Sequence, residues 1–208
     1  MWSNLVSKRK KALLWVVSGP SGSGKTTLCS RLLRNKKLGI VRSVSFTTRP
    51  LRKGEKNYRD YIFISKETFL RKIKNGDFIE WKKVFNNLYG TSKKLVCGLL
   101  AKNEDVLLSI DVKGALEIKR KFPKQSVFIF VVPPNGKELT KRTKRRARED
   151  KKEMQRRLAF AKTELSFANK YDYIIINDVL SKAVNDLESI IIAKRMENAL
   201  HTTRKYYR

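Results

Sequence analysis

A glycine-rich motif follows a short apolar run near the start of the chain. Residues 19–26 read Gly-Pro-Ser-Gly-Ser-Gly-Lys-Thr, which is the pattern G-x-x-x-x-G-K-[ST] of a phosphate-binding P-loop. The glycines let backbone N–H groups point at a polyphosphate, and the following helix adds the positive end of its dipole. We therefore expect Lys25 to contact the β- and γ-phosphates of a nucleoside triphosphate and Thr26 to bind Mg²⁺. The motif leaves the phosphoryl acceptor open, since water, protein, nucleotide and metabolite all remain possible.

Short apolar segments alternate with longer segments of helical spacing along the rest of the chain. The apolar segments are rich in Val, Ile and Leu, as is typical of strands covered on both faces, and they are residues 12–17, 105–110, 127–132 and 173–176. The helical segments are residues 26–34, 112–121, 152–170 and 181–200. This alternation predicts an α/β fold in which helices flank a parallel sheet.

Two regions interrupt the alternation. Residues 44–93 combine aromatic strand-like pieces with turns, which indicates a mixed α/β lobe inserted into the sheet. Residues 137–157 carry eleven Lys or Arg and four Asp or Glu, and from charge alone a solvated helical face is favoured.

Length and composition limit the class of protein. The 208 residues, of which 41% are hydrophobic, fit one large globular domain over residues 1–208. The net charge of +29 attracts polyanions non-specifically but identifies no partner, and a compositional bias towards lysine accounts for it equally well. Cys29 and Cys97 show neither a disulfide nor a metal pattern, and the first apolar run is too short for a membrane span. We expect a cytoplasmic protein without a membrane anchor.

Several further motifs follow the P-loop along the chain. The first runs from Ser43 to Glu55 and reads Ser-Val-Ser-Phe-Thr-Thr-Arg-Pro-Leu-Arg-Lys-Gly-Glu. The later ones are Asp60-Tyr61-Ile62-Phe63, Phe78-Ile79-Glu80-Trp81, Tyr89-Gly90-Thr91, Ile110-Asp111 with Gly114, Pro133-Pro134, the pair Arg142 and Arg146, Arg157-Leu158, Glu164-Leu165 and Ile176-Asn177-Asp178. In these motifs and their order the chain closely resembles the guanylate kinase family, from about residue 14 to about residue 187.

The resemblance implies a single domain with three parts. A P-loop core would comprise residues 1–43, 94–136 and 158–208, and residues 44–93 would form the lobe that binds the nucleoside monophosphate. Residues 137–157 would be a helical lid, which reverses the interpretation of their charge, because three of the arginines would then face the transferred phosphoryl group. The reaction implied is Mg²⁺-dependent transfer of the ATP γ-phosphoryl group to GMP, and to dGMP, by a monomer or a homodimer.

The GMP-binding residues are also carried over from the resemblance. Guanine presents two adjacent donors, N1–H and N2–H₂, and one carboxylate can accept from both. Glu80 matches the family's guanine-binding carboxylate, and Arg is suited to phosphate because its planar fork binds two oxygens. The full GMP set comprises Ser45, Arg49, Arg52, Tyr61, Glu80, Tyr89, Thr91 and Asp111.

Phosphoryl transfer depends on positioning and on cations, and no general base is needed because the acceptor phosphate is already anionic. The cations implied by the resemblance are Lys25, Arg49, Arg142, Arg146 and Arg157. The ATP-binding set comprises Gly19, Pro20, Ser21, Gly22, Ser23, Gly24, Lys25, Thr26, Thr27 and Asn177.

The chain departs from the family pattern at a few positions. Ser109 replaces a carboxylate that belongs to the Mg²⁺ or nucleotide network, and a hydroxyl or a water could replace that contact. Tyr58 stands where glycine is common, Phe46 where a small polar residue is common, and Val179 where an acidic residue is expected.

Three alternatives remain beside an active guanylate kinase. A non-catalytic binding module of the same fold generally loses the P-loop lysine or the lid arginines, and this chain keeps both. A kinase for another monophosphate is disfavoured by Glu80 together with Ser45 and Thr91. A nucleic-acid-binding protein would use the positive charge, but no recognition motif is present.

Overall fold

The first apolar run forms the central strand of a parallel sheet. The computed structural model describes residues 11–84, 86–147 and 151–204, and for residues 144–147, 151–154, 157 and 199–204 it describes the backbone alone. In spatial order the strands of this sheet are β2 (Ile40–Arg42), β7 (Asp105–Ser109), β1 (Leu14–Ser18), β8 (Ser126–Val132) and β9 (Tyr173–Ile176), and every neighbouring pair is parallel. The predicted parallel sheet is confirmed, and the bounds of its four predicted strands are within two residues of those observed. The short edge strand β2 was not predicted.

Helices cover both faces of this sheet, which explains why its strands are apolar throughout. One face packs against α1 (Lys25–Leu32) and α7 (Leu180–Arg204), and the other against α3 (Lys93–Ala101) and α4 (Val112–Lys121). Successive side chains of β1 point to opposite faces. Trp15 and Val17 belong to the first core cluster, and Leu14 and Val16 belong to the second.

The inserted region forms a second, mixed sheet. Its strands, in spatial order, are β4 (Ile62–Phe63), β3 (Phe46–Thr47), β6 (Asn87–Ser92) and β5 (Phe78–Val84), with β3 and β4 parallel and the other pairs antiparallel. Helix α2 (Lys66–Lys74) supplies the buried Phe69, whose ring stacks on Phe78 with centroids 4.6 Å apart. The prediction of a mixed α/β insertion is confirmed.

The basic region forms helix α5 (Gly136–Ala147) and the start of helix α6 (Lys151–Leu165). The helix predicted over residues 152–170 ends earlier, at Leu165. The hydroxyl of Ser166 donates to the carbonyl of Thr163 at 2.8 Å, and a short 3₁₀ turn over Ala168–Lys170 follows. A serine that bonds to a nearby carbonyl in this way favours the end of a helix over its continuation.

The long helix α7 is fixed to the sheet by polar as well as apolar contacts. Arg195 donates to Asp105 Oδ2 at 2.8 Å and to the carbonyl of Leu38 at 2.6 Å. Leu187 and Ile191, one turn apart, are fully buried. Among the helices of the described residues, none is both long and apolar enough to cross a bilayer.

The turn that precedes β4 contains a strained residue. Tyr58 has φ of 63°, in the left-handed region that side chains other than glycine seldom adopt. That conformation costs about 1–2 kcal/mol for an L-residue with a Cβ atom. The departure noted at this position, a tyrosine in place of glycine, therefore has a direct conformational consequence.

Candidate active site

A cleft of about 640 Å³ opens where the carboxyl ends of β1 and β7 face the second sheet. Ligands of open α/β sheets bind at this edge, where the chain crosses to opposite sides of a central strand. Four parts of the chain line the cleft: the P-loop, the second sheet, the segment after β7, and α6. The sequence-predicted residues in its wall are Gly19, Ser21, Gly22, Gly24, Lys25, Thr26, Ser45, Arg49, Arg52, Tyr61, Glu80, Tyr89 and Asp111.

The P-loop holds Lys25 over its own backbone. Lys25 Nζ donates to the carbonyls of Gly19, at 2.6 Å, and Pro20, at 2.9 Å. Gly24 precedes α1 with φ of 90°, and a Cβ atom there would lie 2.2 Å from Asn177 Nδ2. Only glycine fits that position, so the local sequence determines both the turn and the close approach of its neighbours.

Asn177 lies beneath the P-loop. Its side chain is 5% exposed, and its Nδ2 donates to the carbonyl of Ser23 at 2.8 Å. Arg142 is linked to the same point, because it donates to the carbonyl of Asn177 at 3.0 Å and to Glu138 Oε1 at 2.8 Å. Asn177 and Arg142 are thus joined to each other and to the loop, and neither is among the described residues that line the cleft.

The other predicted residues outside the cleft wall have different positions. Pro20 and Ser23 lie within the loop, where the Ser23 amide donates to the Pro20 carbonyl at 3.1 Å. Thr27 is exposed on α1, and Thr91 is buried. Arg146 and Arg157 lie on α5 and α6, but their side chains fall outside the described part of the structure.

Glu80 is a buried carboxylate in the wall of the cleft. Only 5% of it is exposed, and its Oε1 accepts a hydrogen bond of 2.5 Å from the hydroxyl of the fully buried Thr91 on β6. Burial raises the pKa of Glu80 to about 7, with Asp111 and Glu117 acting in the same direction and the Thr91 hydrogen bond against it. Thr91 is therefore bonded to Oε1 of Glu80 and not to the other carboxylate oxygen, Oε2.

Asp111 closes the same end of the cleft from the core sheet. It is the N-cap residue of α4, and its Oδ1 accepts from the amide of Gly114 at 2.8 Å. This bond follows from a standard capping geometry and fixes the carboxylate at the start of the helix. Asp111 and Glu80 therefore place two acidic side chains beside one another in a largely basic protein.

Arg49 is a buried guanidinium held from several sides. It is 9% exposed, its Nη2 donates to both oxygens of Glu55 at 2.8 and 3.0 Å, and its Nη1 donates to the carbonyl of Pro50 at 2.7 Å. The guanidinium also lies over the ring of Tyr61, 5.5 Å from its centroid. Burial opposes the charge, but the bonds to Glu55 raise the pKa of Arg49 above its ordinary value and lower that of Glu55.

Three described residues on α6 line the cleft without having been assigned a role from the sequence, namely Arg156, Phe160 and Glu164. Arg156 is next to the predicted Arg157. Glu164 is 5% exposed, and its Oε2 accepts from the amide of Ser21 at 3.3 Å. Burial raises the pKa of Glu164 to about 7, against the opposing effect of Lys25. Glu164 belongs to one of the motifs that carry the resemblance. Its contact with the P-loop, however, follows only from the packing of α6.

Ser109, one of the departures noted in the sequence, ends β7 in the wall of the cleft. Burial raises the pKa of the Cys29 thiol to about 11, against a smaller opposing effect of Ser109. Cys29 is therefore a protonated, unreactive group behind the P-loop.

The residues present fit a triphosphate-bound Mg²⁺. Such an ion takes one or two protein oxygens and completes its shell with phosphates and water. Thr26 supplies a hydroxyl at the N-terminus of α1 in the cleft wall. Over the described residues there is no cluster of three or more His, Cys, Asp or Glu that would hold a metal by itself.

Comparisons with known proteins show which family the chain is similar to. The family model of guanylate kinase matches residues 11–194. A guanylate kinase from Caldanaerobacter subterraneus subsp. tengcongensis is 44% identical over 190 residues, which are 91% of each chain, and one from Clostridium tetani is 44% identical over 186 residues, 89% of this chain and 88% of the other. The crystal structure of guanylate kinase from Anaplasma phagocytophilum superposes with a TM-score of 0.76 at 34% identity, and the match covers 92% of this chain and 90% of that one.

Proposed function

The chain belongs to the guanylate kinase family, and on that premise we propose that its cleft holds ATP on the P-loop and GMP against the second sheet. Its activity is that of a guanylate kinase, which transfers the γ-phosphoryl group of ATP to GMP to give ADP and GDP. The observation that carries the assignment of roles is a buried carboxylate, Glu80, facing the same cleft as Lys25.

Glu80 reads the guanine base in this proposal. As a carboxylate it accepts from N1–H and N2–H₂, and adenine offers no such pair of donors. The hydroxyl of Thr91 fixes the direction of the carboxylate. Ser45 and Asp111, which line the same cleft, complete the polar wall around the base in this proposal. A base that leaves these buried groups without hydrogen-bond partners is rejected, and the loss of binding free energy can amount to several kcal/mol.

The GMP phosphate lies between Arg49, Arg52 and the hydroxyls of Tyr61 and Tyr89, all of which line the cleft. Arg49 is already fixed by Glu55, so little side-chain entropy is lost when it binds phosphate oxygens. From this position Arg49 bridges the acceptor and donor phosphates, and Arg52 neutralises the outer oxygens.

Lys25 contacts the β- and γ-phosphates after leaving the carbonyls of Gly19 and Pro20. Mg²⁺, held on the protein side by the hydroxyl of Thr26, would neutralise charge on the phosphate oxygens of ATP. The remaining cations, Arg142, Arg146 and Arg157, belong to the helices that we propose as a lid over residues 137–157. Closing of this lid and of the GMP lobe, residues 44–93, excludes water and so prevents hydrolysis of ATP.

The finer features of the activity are also proposed. The assigned GMP residues address the base and the phosphate, so dGMP is an acceptor too. We propose action in the cytoplasm, which the two free cysteines suit, by a monomer or a homodimer, with the excess positive charge giving non-specific polyanion binding.

The test of this function is ADP formation from ATP, Mg²⁺ and GMP by the wild-type protein and by Lys25→Ala. We expect turnover in the first and at least a ~10³-fold loss in the second, because the main donor-phosphate cation is gone. The matched control is Lys94→Ala, an exposed lysine on α3, which should retain full activity. Wild-type turnover that survives Lys25→Ala would refute the P-loop assignment.

A further inference from the structure

Gly114 lies against the carboxylate that reads the base. It is buried in the first turn of α4, and a Cβ atom there would lie 2.6 Å from Glu80 Oε2 and 3.0 Å from Glu80 Cδ. A Cβ atom essentially never lies closer than 3.0 Å to a heavy atom to which it is not bonded, so a residue with any side chain at this position requires Glu80 to move. The Glu80 carboxylate occupies the space in which a side chain at position 114 would lie.

Glu80 has little freedom to move. Its Oε1 is bonded to Thr91 Oγ1 at 2.5 Å, and Thr91 is fully buried in the neighbouring strand. The two residues are register partners across β5 and β6, next to an irregularity between Phe78 and Glu80. A displaced carboxylate would therefore lose this hydrogen bond and the direction in which its second oxygen points.

The backbone at Gly114 does not itself require glycine. Its φ lies outside the left-handed region, unlike that of Gly24. Its amide donates to Asp111 Oδ1, a bond that alanine would keep. Alanine is also favoured over glycine within a helix by about 1 kcal/mol. Helix geometry therefore gives no reason for glycine at this position, and the contact with Glu80 does.

We propose that Gly114 is a positioning residue for guanine specificity, which acts by making room for the Glu80 carboxylate in its base-reading orientation. This inference rests on the proposed role of Glu80 and deepens it. Since the atom that a methyl group would meet is the far end of a side chain, the fold accommodates alanine and the recognition of GMP does not.

The experiment compares Gly114→Ala with Gly98→Ala. Gly98 is also a helical glycine, on α3, but a Cβ atom there meets nothing within 4 Å. We expect Gly114→Ala to raise the KM for GMP by about tenfold or more, with an unchanged KM for ATP and a melting temperature close to that of the wild type. Gly98→Ala should have wild-type kinetics.

A double-mutant cycle separates the contact from a general structural effect. In the Glu80→Ala background the carboxylate is absent, so adding Gly114→Ala should change the KM for GMP by less than about twofold. Equal effects of Gly114→Ala with and without the Glu80 side chain would overturn the inference. It would also be overturned by wild-type kinetics of Gly114→Ala, by equal losses of GMP and ATP binding, or by failure of the single variant to fold. A wild-type protein that does not phosphorylate GMP would instead refute the proposed function.

Discussion

Arg49 and Glu55 form a partly buried ion pair in which both carboxylate oxygens accept from one guanidinium nitrogen, at 2.8 and 3.0 Å. The pair fixes one side of the guanidinium, while the residue still lines the cleft. Because Arg49 is oriented before any nucleotide arrives, its remaining donors are available to phosphate oxygens without a search through rotamers.

The substitution Arg49→Lys keeps the positive charge but removes the planar guanidinium with its several N–H donors. We expect a loss of about 10²-fold or more in kcat/KM for GMP, because an ammonium cannot hold Glu55 and bridge two phosphates at once. The measurement is steady-state kinetics at saturating ATP. Arg59→Lys is the matched control, since Arg59 is 54% exposed and pairs with Asp60 at the surface. Similar kinetics of the two variants would contradict the role of Arg49.

GMP recognition should depend on the ionisation of Glu80. The carboxyl has a pKa of about 7 in the folded protein, and only its ionised form accepts from both guanine donors. The KM for GMP should therefore fall as the pH rises towards about 7, by up to about tenfold per pH unit, and level off above it. Besides burial, four neighbouring groups shift this pKa: Asp111 and Glu117 raise it, and Thr91 and Lys82 lower it.

The control for this profile is Glu80→Gln, because GMP has a phosphate group that titrates in the same range of pH. Whatever pH dependence remains in the variant belongs to the nucleotide or to other residues. Profiles of the same shape in both proteins would show that Glu80 does not carry the effect.

Glu164 should make the folded protein less stable as the pH rises. Its pKa rises from 4.5 to about 7 on folding, so the stabilisation of the protonated form is complete below the lower value and is lost progressively up to the higher one. Glu164→Gln cannot ionise and keeps an acceptor for the amide of Ser21. We expect its free energy of unfolding to exceed that of the wild type by about 2 kcal/mol at about pH 8, and the difference to shrink at about pH 5.

Urea denaturation at both pH values gives this free energy directly. Glu67→Gln, in the exposed first turn of α2, serves as the control and should show no such gain. A Glu164→Gln protein that is less stable than the wild type at the higher pH would mean that the charged form is the one that holds the P-loop.

The sequence was sufficient where local pattern determines structure. The strands β1, β7 and β8 are apolar because both of their faces are buried, and the P-loop is determined by its own glycines. The second sheet could be predicted only as a mixed insertion, because β3 and β4 have two residues each and carry no periodic signal. The end of α6 was predicted too late, because a serine–carbonyl bond competes with the helix.

In the candidate site, too, some features follow from local sequence and others from contacts between distant parts of the chain. Glu164 lies one turn after the buried Ala161, on the same face of α6, and its contact with the amide of Ser21 comes from the packing of α6 onto the P-loop. Asn177 was assigned to ATP binding by resemblance, and its contact with the carbonyl of Ser23 suggests that it acts through the loop. Such contacts between residues far apart in the chain cannot be obtained from spacing alone.

The most direct test of the account is the choice of acceptor. ADP formation from ATP and Mg²⁺ is measured with GMP, dGMP, AMP, CMP and UMP, for the wild type and for Glu80→Gln. The account predicts turnover with GMP and dGMP and little with the others, and it predicts a loss of about 10²-fold in kcat/KM for GMP in the variant with an unchanged KM for ATP. Turnover of another monophosphate at the rate of GMP, or a variant that loses ATP and GMP equally, would contradict the assignment of this cleft as a guanine-reading site.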